Sequence, residues 1–301
     1  MHLKYETENE LCMIKLKLII YNLIKKLKFI VIGGSSFEYI SKNYIEIIKK
    51  NFIKRNIPNY IIDGYKVYSQ NDEDGIIDSI FKEIGIKNKT FIEIGIGNGL
   101  ENNTHYLLLQ NWKGIWFDLN KKKILKINKI IPKNNKLLVC NKMITPENIN
   151  ETIKDSLYFF QNKGIDSVDF FSIDIDTYDI QCVKKIEIIR PRLICIEYNS
   201  KFPPTIDITI EYKENLEWHH DDYMGSSLFH INKELNKMNY KLISTNITGS
   251  NAFFVRDDLY KKCRTFGQNI KDLYMPENYN LYSFISGHKP SFKFLYDKIK
   301  E

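Results

Sequence analysis

From residue 66 onward, short apolar runs of strand length alternate with segments whose apolar positions recur at helical spacing. Residues 72–84 carry Ile76, Ile77, Ile80, Phe81 and Ile84 on one helical face. A strand is expected at 90–96, a short helix at 102–111, and further strands at 114–119 and 137–143. A helix over 146–162 follows, with Pro146 near its start, where a missing N–H costs nothing. The pattern continues with strands at 168–175 and 193–198, a helix at 226–238, and strands at 241–247 and 252–256. Successive strand–helix units imply a parallel sheet covered on both faces, with right-handed crossovers. The last two strands are separated only by Thr248-Gly249-Ser250-Asn251. A parallel crossover needs a dozen or more residues, so this pair must be an antiparallel hairpin. The expected fold is therefore α/β: a Rossmann-like, doubly wound seven-stranded sheet, mostly parallel, with an antiparallel final strand. The pattern divides the chain into a basic helical extension (1–65), the sheet domain (66–260) and a partly helical tail (261–301).

The first strand runs into Glu93 and then into glycines at alternate positions, Gly95, Gly97 and Gly99. A buried strand that stops in a glycine-rich turn presents bare backbone N–H groups to a ligand. Leu100 stands where the dinucleotide fingerprint needs its last glycine. With Glu93 just ahead of the turn, this favours S-adenosylmethionine (SAM) over NAD; a tight turn without a ligand is the plainer alternative. Asp118 ends the second strand, 19 residues after Gly99, where a carboxylate can accept from both ribose hydroxyls.

In a doubly wound sheet, ligands bind beyond the carboxyl ends of the strands. Asp174 and Asp176 share one side of the chain as the fourth strand ends, and Glu197 and Asn199 end the fifth. These four oxygen donors suit Mg²⁺, which would orient substrate hydroxyls and lower the pKa of the one attacked. Hydrogen bonding to the amino acid part of SAM, or helix capping by Asp176, are the competing readings. A long insert, 200–224, contains His219 and His220, candidates to take a proton from a hydroxyl nucleophile. Asp72 and Glu73 read as an acidic helix start stabilised by the helix dipole.

Composition modifies this picture little. The net charge is +7, but only five residues are arginine, so lysine supplies nearly all of it. Arginine is the residue that forks onto phosphates and guanine edges, which argues against a dedicated nucleic-acid binder. Five cysteines without a C-x-x-C pair suit a reducing, cytoplasmic compartment and offer no zinc site. Segment 14–32 is apolar but interrupted by Lys15, Lys17, Lys25, Lys26 and Lys28. It is a poor spanning segment and a candidate for peripheral contact with the inner face of an anionic membrane. The plainer alternative is a helix packed on the domain or on a second subunit of a homo-oligomer. No small-residue cleavage site follows it, which argues against a signal peptide.

Taken together, the blocks at 69–77, 91–104, 112–118, 172–179, 190–199, 223–228 and 251–256 resemble class I SAM-dependent methyltransferases. The branch they look like is that of FkbM-type sugar and small-molecule O-methyltransferases, over about residues 66–260. The resemblance implies that Glu93, Gly95, Gly97, Asn98 and Gly99 cradle the methionine part of SAM, that Asp118 holds its ribose, and that Gln70 approaches it. It places Asp174 beside the transferred methyl group. It also implies a sugar, nucleotide-sugar or glycoconjugate acceptor. The run Asp174, Asp176, Asp179 departs from the single acidic pair of FkbM-type proteins and looks closer to metal-assisted sugar methyltransferases. The adenine- and cytosine-modifying motif Asn/Asp-Pro-Pro-Tyr is absent after the fourth strand. A non-catalytic scaffold of the same fold remains as the reading from another class.

Overall fold

The structure is a computed structural model that describes residues 34–161, 167–214, 218–285 and 287–300. Segment 14–32, with its expected membrane contact, lies outside them. The described residues form two compact units, one of 34–48 with those of 280–287, the other of those of 49–279 with 288–300. In the first, Phe37 stacks on Phe284 with ring centroids 5.1 Å apart. Among the described residues no helix is long and apolar enough to cross a membrane.

The chain order begins with α1 (Gly34–Lys54), a 3-10 turn (Tyr60–Asp63) and α2 (Glu73–Ile84). Then come β1 (Thr90–Ile94), α3 (His105–Leu109), β2 (Lys113–Asp118), α4 (Lys121–Ile130) and β3 (Leu137–Asn141). They are followed by α5 (Ile149–Gln161), β4 (Phe170–Ile173), α6 (Asp179–Lys185), β5 (Leu193–Glu197) and α7 (Leu228–Lys237). Strands β6 (Tyr240–Thr245) and β7 (Asn251–Arg256) close the sheet, and α8 (Asp257–Tyr260), α9 (Ile270–Leu273) and α10 (Lys293–Lys300) complete the chain.

The seven strands lie in the order β3-β2-β1-β4-β5-β7-β6. Strands β1 to β5 pair in parallel, and β7 is antiparallel to both β5 and β6. The expected α/β fold, a seven-stranded, mostly parallel sheet with an antiparallel final strand, is what the chain adopts. The last strand in sequence is not at the edge; it slots between β5 and β6.

Every residue of β1 and β4 is buried, as an apolar run covered on both faces requires. Alternation sends Ile92, Ile94, Phe171 and Ile173 to one face, where they pack with Ile153, Phe160, Ile180, Ile231 and Leu235 of α5, α6 and α7. Phe91, Trp116, Phe170 and Phe253 are buried on the other face, where Phe81 of α2 meets Phe170 edge to face at 6.2 Å. Truncating any one of these buried aromatics to alanine costs about 3–5 kcal/mol.

One expectation is extended and one corrected. Asp72 and Glu73 begin α2 as expected, but with Asp74 they are buried and hydrogen-bonded rather than left to the helix dipole alone. Asp72 accepts from the Ile247 N–H, and Glu73 accepts from the side-chain amides of Asn246 (2.7 Å) and Asn251 (3.0 Å). One oxygen of Asp74 accepts from the N–H groups of Val67, Tyr68 and Ser69. This network binds the segment before α2 to the β6–β7 turn, some 175 residues away. Burial, with Glu73 adjacent, pushes Asp72 up to about 8, and burial pushes Asp74 to about 6. Residues 261–279 likewise belong to the sheet unit rather than to a tail. Leu273 and Met275 are buried, Thr245 donates to the Leu273 carbonyl, and Tyr198 donates to that of Met275.

Candidate functional site

The strand order reverses between β1 and β4, and the turn after β1 is built for close approach there. Gly95 has φ of 86°, and a Cβ on it would lie 1.7 Å from the Asp174 carbonyl oxygen, so only glycine fits. Gly97, with φ of 59°, donates its N–H to Asp118 Oδ2 at 2.8 Å. The other oxygen of Asp118 accepts from the Asn120 N–H at 2.7 Å. A cavity of about 1100 Å³ opens over this turn. Gln70, Gly95, Gly97, Asn98, Asp118, Asp174, Asp176, Glu197, Asn199 and His220 all line it. Glu93, Gly99 and His219 do not.

Glu93 sits behind the turn and is buried. Its carboxylate accepts from the Asn102 side chain (2.7 Å), the Asn103 N–H (2.8 Å) and the Thr104 hydroxyl. Thr104 in turn accepts from the Trp116 indole at 2.7 Å. Glu93 thus anchors the loop that follows the glycines, and burial pushes its carboxyl up to about 7. Gly99 packs against Ile127, Phe292 and Trp116, and its carbonyl meets His105 Nδ1 at 2.7 Å. His105 stacks between Tyr68 (3.8 Å) and Phe292 (5.5 Å), and burial lowers its pKa to about 4. These groups support the turn from below.

At the centre of the cavity, Asp174, Asp176 and Glu197 bring carboxylate oxygens within 4.8 Å of one another. Burial, followed by repulsion from Asp179 and Asp176, holds Asp174 well above the ordinary carboxylate range. Burial and Asp174 do the same to Glu197, whose Oε2 is buried without a hydrogen-bond partner among the described residues. Asp179, one turn on, accepts from the Ile175 N–H and is pushed up to about 7 by burial. Asp176 takes a left-handed φ of 65°; burial raises its pKa, while the nearby His220 and Lys123 side chains counter that. A set of hard oxygen donors with an orphaned buried atom fits a divalent cation, or the cationic end of an organic ligand.

The far wall comes from the insert and from the chain's C-terminal third. Asn199 fixes the insert by donating to the carbonyls of Asp222 (3.0 Å) and Met224 (3.1 Å). Its Oδ1 accepts from the Lys201 N–H at 3.3 Å, so its amide is occupied within the loop. Both histidines are exposed, but only His220, with φ of 63°, lines the cavity, with its ring 4.6 Å from that of Trp218. Glu277 and Tyr279 also line the cavity, with the Tyr279 hydroxyl 2.9 Å from Ser200 Oγ. Sequence reading did not find them, because nothing local marks residues some 80 positions beyond β5 as neighbours of its carboxyl end.

No family model matches the chain, and no curated protein matches it. Solved structures that share part of the architecture include a putative S-adenosylmethionine dependent methyltransferase from Listeria monocytogenes. It is 12% identical, with a TM-score of 0.33, over 60% of this chain and 99% of that one. An O-methyltransferase from Bacillus cereus in complex with SAH is 14% identical, with a TM-score of 0.37, over 73% of this chain and 95% of that one. TrmK of M. capricolum, in complex with S-adenosyl-homocysteine, is 14% identical, with a TM-score of 0.31, over 59% of this chain and 66% of that one. Likenesses this slight carry no argument about chemistry, which rests on the cavity itself.

Proposed function

We propose that the chain is a SAM-dependent O-methyltransferase acting on a hydroxyl of a sugar, nucleotide-sugar or glycoconjugate. The observation that carries this reading is the join between the Gly97 N–H and Asp118, at the mouth of a large acid-lined cavity on the switch point. The residues fit a cationic cofactor. Asp118 can accept from ribose hydroxyls, the Gly95–Gly97 backbone leaves room for an extended chain, and Asp174 and Glu197 offer under-compensated carboxylates to positive charge. When bound, SAM supplies an electrophilic methyl group on a sulfonium centre.

The acceptor side supports a carbohydrate. Trp218 and Tyr279 provide flat apolar faces, while Asp221, Asp222 and His220 provide hydrogen-bonding groups along the same wall. His220 is placed to take the hydroxyl proton, with the Asp176 carboxylate stabilising the imidazolium formed. Asp174, Asp176 and Glu197 would hold Mg²⁺, which would lower the pKa of a coordinated hydroxyl. Positioning the oxygen in line with the methyl group supplies most of the expected acceleration.

Incubation with isotopically labelled SAM and a panel of nucleotide sugars and oligosaccharides tests the reading. A labelled O-methyl sugar is expected, with turnover lost in EDTA and restored by Mg²⁺; full activity in EDTA would remove Asp174, Asp176 and Glu197 as metal ligands. Methylation of RNA or protein alone would overturn the acceptor assignment.

A further inference from the structure

A second cavity of about 770 Å³ lies between α4 and α10. Its walls are mostly apolar: Leu100, Ile127, Ile130, Phe292 and Tyr296, with Pro290 at one end. Ligand pockets have this size and this character. Its rim is basic. Lys123 and Lys126 stand on the same stripe of α4 as Ile127 and Ile130, and Lys293 stands opposite on α10; Asp297 is the one acid. None of these three lysines forms an ion pair among the described residues.

The surroundings extend the pattern. Between Asp118 and Glu147 there is no acidic residue, and this stretch holds eight lysines, one more than the net charge of the whole chain. Seven of the eight are exposed. On α10, Phe294 is 72% exposed beside Lys293. An apolar slot with three lysines and one acid on its rim, beside an acid-free, lysine-rich stretch, complements one ligand chemistry: an apolar chain that ends in an anionic head.

We propose that the α4–α10 cavity takes the chain of an anionic membrane lipid while the surrounding lysines rest on the anionic bilayer surface. Exposed apolar side chains amid lysines favour a bilayer over RNA, since an apolar slot offers nothing to a phosphodiester backbone and the face contains no arginine. This assignment is independent of the cofactor and acceptor of the larger cavity, although Asn98 and Lys123 line both. It also differs from a contact through residues 14–32.

Co-sedimentation of the full chain with vesicles tests it. Binding is expected to phosphatidylcholine–phosphatidylglycerol vesicles and not to phosphatidylcholine alone. The double variant Lys126→Glu/Lys293→Glu, at two exposed positions, should bind at least about tenfold more weakly. Ile130→Asp places a carboxylate in the slot without altering charge on the lysines, and should also lose binding. Ile130 is 40% exposed at the end of its helix, and near-ultraviolet circular dichroism confirms that the variant is folded. Unchanged binding by both variants would overturn the proposal and move the contact to the N-terminal segment. Loss in the lysine variant alone would overturn the cavity, leaving charge only. Displacement from vesicles by single-stranded RNA at lower concentration than by soluble phosphatidylglycerol would overturn the lipid.

Discussion

Asp169 and Asp174 bracket the same four-residue strand, β4, and meet opposite fates. At the amino edge, Asp169 is fully buried and its carboxylate accepts from the N–H groups of Lys87 (3.1 Å), Asn88 (2.6 Å) and Lys89 (2.7 Å). Arg192 adds a cation at 3.7 Å. At the carboxyl edge, Asp174 faces Asp176, Asp179 and Glu197, and burial together with their charge keeps it protonated well above the ordinary range. One carboxylate is hydrogen-bonded throughout within the fold; the other lies half-buried among carboxylates at a cavity, beside Glu197, whose Oε2 has no partner among the described residues. An acid that backbone donors satisfy serves structure, and acids crowded together at a cavity mark a candidate binding site.

Removing each acid in turn should separate the two roles. Asp174→Ala is expected to reduce methyl transfer by about 10²-fold or more, as loss of a positioned charged group does, without lowering Tm. A clear fall in Tm would make Asp174 structural. Asp169→Ala should do the reverse. It strands three backbone donors, costs about 3 kcal/mol in denaturant unfolding, and leaves SAM affinity of the folded fraction intact. An unchanged unfolding midpoint would erase the contrast between the two edges.

The pH dependence sharpens it further. Asp72, Glu93 and Asp179 are raised to about 8, 7 and 7, so the folded chain holds protons that the unfolded chain has released above about pH 4. Stability is then lost as pH rises through that window. Two groups act in the opposite direction: His105, lowered to about 4 by burial, up to about pH 6.5, and Glu234, lowered to about 2 by Lys184 and Lys237, below about pH 4.5. Calorimetric Tm should decline most steeply between about pH 6.5 and pH 8, where His105 no longer opposes the acids, and Mg²⁺ should restore more of it at pH 8 than at pH 5. A rising Tm over that range would contradict the burial of these acids. The smallest effect expected is for Asp118→Ala, which loses charge-assisted hydrogen bonds and should weaken SAM binding about tenfold.

Much of the fold was legible because its strands are buried on both faces. The apolar runs at β1, β4 and β5 stand out without context, and the four-residue gap before β7 decides its direction. The site was legible where one strand end carries its own chemistry, as with Gly95, Gly97, Asp118 and the Asp174–Asp176 pair. It was not legible where roles depend on distant partners. Glu93 looks the same in sequence whether it faces a ligand or, as here, ties down Asn102 and Thr104. Asp72 and Glu73 are the helix start that they look like, but nothing local shows that the β6–β7 turn closes over them. Tyr279 and Glu277 reach the cavity only because 261–279 folds back along the sheet.

The central claim is that the carboxyl-edge cavity binds SAM through the Gly97–Asp118 join and the crowded acids beyond it. Isothermal titration of SAM into the full chain at neutral pH tests this most directly. The account predicts a single saturable site per chain, weakened in Asp118→Ala. No heat of binding at millimolar SAM, from protein shown to be folded, would contradict it.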